Sequence, residues 1–190
     1  MKVIGLAGKP GSGKSAVARE LALRPAVTWV DLDPVAWSTY CGGTPPLDRL
    51  VERFGAGILN AAGEIDRARL AEAAFASPEA RRDLDAIVHP AVSEAIAERI
   101  REESALGTEV LLVEGALLAT SPYVDRSRFD AILWFDASDN LRRQRLASGS
   151  REAQVDRFGA LEPGENVLRV SAEGTVSVVA ERVWRIIEAL

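Results

Sequence analysis

Short runs of adjacent apolar residues punctuate this chain. Between them lie stretches whose apolar positions recur every three or four residues. The first pattern predicts buried strands and the second amphipathic helices. Five runs qualify as strands: Lys2–Leu6 (KVIGL), Val27–Val30 (VTWV), Glu109–Val113 (EVLLV), Phe129–Phe135 (FDAILWF) and Asn166–Ser171 (NVLRVS). The fourth is apolar enough for burial on both faces, as strands of a parallel sheet are. Val17 and Leu21, one turn apart, mark the inner face of a helix after the first strand. A C-terminal helix shows Val179, Val183, Ile186, Ile187 and Leu190 as its core stripe.

From 32 to 108 no strand pattern appears, although a crossover between parallel strands needs only about a dozen residues. Gly42-Gly43 and Pro45-Pro46 break this stretch, and Ala56–Ile65 reads as loop or short helix. Helices are predicted over 47–54, 66–76, 78–88 and 90–104, the last from Val92, Ile96 and Ile100 at four-residue spacing. Pro34 suits the first position of a further helix, with Asp33 as its N-cap. Another helix runs from Asn140 to about Leu146 and carries Arg142, Arg143 and Arg145, a run that commonly forms a solvated face. The predicted fold is α/β: a five-stranded, mostly parallel sheet with helices on both faces and a helical insert between the second and third strands. One domain is expected over 1–190, with a core of 1–33 and 109–190, an insert of about 34–108 and a polar lid of about 148–163.

Composition narrows the picture modestly. A chain of 190 residues with 47% hydrophobic and 27% charged residues is ordinary for a globular protein. The net charge of −5 leaves no basic surplus for a nucleic acid. The single cysteine, Cys41, admits no internal disulfide and fits a reducing compartment. The longest apolar stretch, Val110–Ala119, is interrupted by Glu114 and too short to span a bilayer. With strand and loop already at the N-terminus in place of a leader, a soluble cytoplasmic protein with no membrane partner is expected.

Chemistry enters at residues 8–15, GKPGSGKS, which fit G-x-x-x-x-G-K-[ST] between a strand and a helix. Glycines at 8, 11 and 13 permit backbone angles that turn successive N–H groups toward phosphate oxygens, aided by the helix dipole. The expected phosphate-binding residues are Gly8, Gly11, Ser12, Gly13, Lys14, Ser15 and Ala16. Lys14 would reach the β- and γ-phosphates of ATP and the Ser15 hydroxyl would meet Mg²⁺. Only three lysines occur (2, 9 and 14), and two lie in this loop. Glu114, ending the third strand, is a plausible partner of the Mg²⁺ shell, so Ser15 and Glu114 are the expected metal residues. Asp33, at the carboxyl end of the second strand, is where an open α/β sheet binds ligands. Three functions compete on this basis: a small-molecule kinase, a GTPase switch, and a nucleotide-binding protein without catalysis. A guanine-specific switch would carry an Asn/Thr-Lys-x-Asp element, and no lysine follows Lys14.

The sequence also resembles the dephospho-coenzyme A kinases, which phosphorylate the ribose 3′-hydroxyl of dephospho-coenzyme A. The likeness begins with Ile4-Gly5-Leu6, the phosphate loop and Val30-Asp31-Leu32-Asp33. It is most specific in the insert, at Phe54-Gly55, Ile58-Leu59, Gly63, Ile65-Asp66-Arg67, Leu70, Phe75, Pro78, Leu84 and His89-Pro90. It runs over about 2–118, closing with Leu117-Leu118. The resemblance implies ATP and Mg²⁺ as cofactors, dephospho-coenzyme A as the small-molecule substrate, and a monomer or weak homo-oligomer. It also implies Asp33 as catalytic base, Lys14 on the phosphates and Arg145 as a cation for the transferred group, with Arg151 or Arg157 assisting from the lid. Ala116, Gly149 and Leu161 depart from the family pattern, and the lid is short. Kinases of other small hydroxyl compounds, nucleosides or nucleotides among them, remain the alternative. His89 is expected to be structural, since one histidine and one cysteine offer no metal set.

Overall fold

In a computed structural model, residues 1–116, 118–147, 162–164 and 166–190 are described. The expected lid at 148–163, with Gly149, Arg151, Arg157 and Leu161, therefore lies outside the described residues apart from 162 and 163, as does Leu117. The elements are β1 (Lys2–Ala7), α1 (Lys14–Leu21), β2 (Val27–Asp31), α2 (Leu32–Thr39), α3 (Pro45–Phe54), α4 (Arg67–Ala74), α5 (Pro78–Ala105), β3 (Val110–Glu114), β4 (Ala131–Asp136), α6 (Asp139–Ala147), β5 (Leu168–Ser171) and α7 (Val176–Ala189). The chain forms two compact units. One comprises Met1–Asp31, Ile100–Pro122 and Arg126–Leu190, the other Leu32–Arg99 with Tyr123–Asp125.

The first unit is built on a five-stranded sheet in the order β2-β3-β1-β4-β5. Every pairing is parallel, so the sheet is wholly and not just mostly parallel. Strand alternation sorts its side chains. Ile4, Leu6, Leu112, Leu133 and Phe135 join α1 and α7 in one core, where Val17, Leu21, Val179 and Val183 meet them. Val3, Leu111, Val113, Ile132 and Trp134 point the other way and are buried as well. Burial on both faces is what near-continuous apolar strands require. Leu190, expected in the α7 stripe, is half exposed at the chain end. Buried Glu103 is satisfied by the Thr108 hydroxyl at 2.6 Å, which also meets Thr28 at 3.2 Å.

The second unit is helical apart from one isolated antiparallel bridge, Leu59 to Ile65. The Asn60 side chain closes that turn by accepting from the Ala62 and Glu64 amides. Asp66 caps α4 by accepting from the amides of Ala68 (3.0 Å) and Arg69 (3.2 Å). Two expectations need correction here. The helices predicted at 78–88 and 90–104 are one helix of 28 residues with Pro90 inside it. Proline removes one backbone donor and bends a long helix, and it need not end one. Asp33 is not an N-cap, because α2 begins one residue earlier at Leu32 and places Asp33 in its first turn.

Ala26, in the turn before β2, is exposed and has φ +56°. Its carbonyl nevertheless accepts from the amides of Glu109 (2.9 Å) and Val110 (3.1 Å), which seats β3 beside β2. A left-handed conformation costs an L-residue about 1–2 kcal/mol. Ala26→Gly should relieve it, less about 0.4–1 kcal/mol for the freer unfolded chain. Denaturant titration should show a small net stabilisation; a loss of stability would mean the turn is unstrained.

Candidate active site

The phosphate loop leaves β1 at Ala7 and enters α1 at Lys14. Gly8, Gly11 and Gly13 have φ of +141°, +79° and +94°, conformations that side chains resist. Gly13 precedes the helix and supplies no side-chain cap, so a ligand can meet the first-turn amides of Lys14, Ser15 and Ala16. Lys14 is buried to 8% exposure, with Nζ donating to the Gly8 carbonyl at 2.9 Å. The Ser12 hydroxyl is buried without a hydrogen-bond partner. Such an orphan costs about 1–3 kcal/mol and marks a place shaped for a polar ligand.

Ser15 Oγ donates to Glu114 Oε1 at 2.6 Å. The sheet explains the meeting. Leu6 pairs with Glu114, and Glu114 with Asp31, so the three project from the same face of the sheet as α1. Glu114 is 6% exposed, and its Oε2 is buried with no hydrogen-bond partner. Burial pushes its carboxyl above the usual range; the Ser15 hydroxyl and the Lys14 charge pull it back, and Asp31 adds to the push. A hydroxyl, a carboxylate with an unused oxygen and a neighbouring aspartate form an oxygen donor set. Such a set suits Mg²⁺, which takes one or two protein oxygens and completes its shell with phosphate and water. Among the described residues no group of three or more His, Cys, Asp and Glu could hold a metal by itself.

Helix α6 is not a solvated arginine face. Arg142 is fully buried, with Nε donating to the Pro10 carbonyl at 2.9 Å and one terminal nitrogen to Asp139 at 2.6 Å. Arg145 donates to the carbonyls of Ser12 at 2.9 Å, Gly11 at 3.5 Å and Ala172 at 3.0 Å. Arg143 alone of the three is exposed. Sequence reasoning named Arg145 but missed Arg142 as a loop contact. The signal was present, since residues three apart share a helix face.

In the second unit Asp33 is exposed near the start of α2. Trp37 follows one turn later, with the Arg67 guanidinium 3.9 Å over its ring. Tyr40 has its phenol pushed up by burial, with Arg67 opposing and Cys41 and Asp33 adding to the rise. His89 lies inside α5, 3.5 Å from Asp85 and edge-on to Tyr123 with ring centres 5.7 Å apart. Burial pushes its imidazole below its ordinary range, Asp85 opposing and Arg81 assisting. Cys41 is exposed. No helix among the described residues is long and apolar enough to cross a membrane.

Residues 2–160 match the family model described as dephospho-CoA kinase. The dephospho-CoA kinase of Corynebacterium jeikeium is 38% identical over 193 residues, covering 96% of each chain. That of Methylococcus capsulatus is 36% identical, covering 95% of this chain and 93% of the relative. Among solved structures, TT1252 from Thermus thermophilus superposes with a TM-score of 0.77 at 26% identity, covering 99% of this chain and 96% of that one. Dephospho-CoA kinase from Campylobacter jejuni has a TM-score of 0.63 at 17% identity over 99% of this chain and 96% of its own, a likeness of fold. Phosphate loop, parallel sheet and near full-length relatives agree: the chain belongs to the dephospho-CoA kinase family of ATP-using phosphotransferases.

Proposed function

We propose that the protein transfers the γ-phosphoryl group of ATP to the ribose 3′-hydroxyl of dephospho-coenzyme A, giving coenzyme A and ADP. The family match over residues 2–160 is the observation that carries the acceptor, and the phosphate loop, with its three glycines at positive φ and Lys14 folded against it, supports ATP as the donor. On this reading the amides from Gly11 to Ala16 bind the polyphosphate. Lys14 exchanges its bond to the Gly8 carbonyl for phosphate oxygens. Ser15 and Glu114 would hold Mg²⁺, which supplies charge neutralisation at the phosphates.

The acceptor oxygen forms a bond to the γ-phosphorus as the bond to the β–γ bridging oxygen breaks. The transition state is loose, so position and charge matter more than early proton removal. Asp33 orients the hydroxyl and takes its proton late. Arg145 serves transfer by holding the loop carbonyls of Gly11 and Ser12 and by placing positive charge behind the phosphates, the role of cationic clamps on phosphoryl groups.

Incubation with ATP, Mg²⁺ and dephospho-coenzyme A should yield coenzyme A and ADP in equal amounts; ADP without coenzyme A would overturn the acceptor assignment. In the same assay Lys14→Ala should lose about a thousandfold or more, equivalent to about 4 kcal/mol of barrier. Near-parental turnover would remove Lys14 from the machinery. Asp33→Asn should lose about 10²–10⁴-fold in transfer, the range for a general base, with nucleotide affinity held within a few-fold. Parallel loss of ATP binding would place Asp33 on the nucleotide instead. Because burial raises the Glu114 carboxyl, protons should compete with the cation at a higher pH than at an exposed glutamate. Mg²⁺-dependent ATP binding should therefore weaken as pH falls through that range, and Glu114→Gln should bind weakly with a flatter acid limb. An acid limb unchanged by the substitution would assign it to another group.

A further inference from the structure

The peptide joining Pro10 to Gly11 is gripped from the side of α6. Arg142 Nε donates to the Pro10 oxygen at 2.9 Å, and Asp139 holds the same guanidinium at 2.6 Å. The helix backbone adds a second restraint. A Cβ at Gly11 would lie 2.8 Å from the Arg142 carbonyl oxygen and 3.0 Å from Leu146 Cγ, so only glycine seats the loop this closely on α6. In a trans planar peptide the carbonyl and the N–H that follows point in opposite directions. Fixing the Pro10 oxygen toward α6 turns the Gly11 N–H away from α6.

Burying a guanidinium is costly unless it is paired, and an apolar side chain could fill the same volume without that cost. What an apolar side chain could not do is satisfy the Pro10 carbonyl and fix the rotation of that peptide. We propose that Arg142 is a positioning residue of the phosphate loop: through the Pro10 carbonyl it aims the Gly11 N–H into the loop as a donor to the outer phosphates of the nucleotide. Gly11 lies three residues ahead of Lys14, outside the first turn of α1, so its donor addresses phosphates beyond the one nearest the helix. The inference rests on reading this loop as the ATP site.

Equilibrium titration of the parent and Arg142→Met with ATP, ADP and AMP tests it, together with the KM for dephospho-coenzyme A. ATP and ADP affinity should fall about tenfold, AMP affinity by less than about twofold, and the acceptor KM should hold. Arg142→Lys, which keeps a donor for the Pro10 oxygen, should recover ATP affinity to within about threefold of the parent. Unchanged ATP and ADP affinities overturn the proposal, and so does equal weakening of all three nucleotides and the acceptor, the signature of a merely structural role. Should Arg142→Met fail to fold, Asp139→Asn keeps the guanidinium and weakens its anchor by removing the charge from the acceptor. It should weaken ATP and ADP about two- to threefold and spare AMP, and no selective effect counts against the proposal. Failure of the parent to bind ATP would instead defeat the underlying reading.

Discussion

A phosphate loop works only if several N–H groups converge on one small volume, an arrangement that their aligned dipoles resist. Convergence requires their carbonyl partners to be satisfied on the outer side of the loop. In this protein α6 meets that requirement: Arg142 takes the Pro10 oxygen and Arg145 those of Gly11 and Ser12. Lys14 closes the set from within by holding the Gly8 carbonyl. The loop is thus a suspended structure with its tension carried by side chains of a distant helix. The glycines supply the freedom to bend, and the arginines decide which bend is kept.

The sheet contributes the other half of the nucleotide side by register alone. Parallel pairing aligns the ends of β1, β2 and β3, so Leu6, Glu114 and Asp31 finish side by side. A one-residue slip in β3 would turn Glu114 to the opposite face and separate it from Ser15. Nearly continuous burial of Val110–Glu114 protects that register, because every residue of the strand has a packing partner to lose. The carboxylate sits where hydrocarbon would be expected, and its elevated proton affinity is the physical trace of that placement.

Much of this was legible beforehand. Five strands, the loop and the order of elements follow from apolar runs and one spaced motif, because burial on both faces and positive-φ glycines leave strong local signatures. The boundaries were less accessible. Asp33 read as a cap because Pro34 suits the first turn of a helix, yet the chain enters α2 directly from β2. Pro90 read as a helix start, but the packing of Ile87, Val88, Val92 and Ile96 keeps the helix running through it. The roles of Arg142 and Arg145 were hidden for a different reason. Helix periodicity shows that they share a face but cannot show what that face meets, and their partners in the phosphate loop lie more than 130 residues away.

That distance bears on the order in which the molecule becomes competent. The loop leaves the ribosome more than 130 residues before its carbonyl anchors arrive with α6, and Ala172, which also holds Arg145, comes later still. An N-terminal fragment ending at β4 would possess every glycine, the lysine and the serine of the motif without the struts that orient them. Nucleotide could then stabilise the loop only after α6 had been synthesised. The motif would travel through that part of biosynthesis as a slack thread, drawn into shape when α6 arrives.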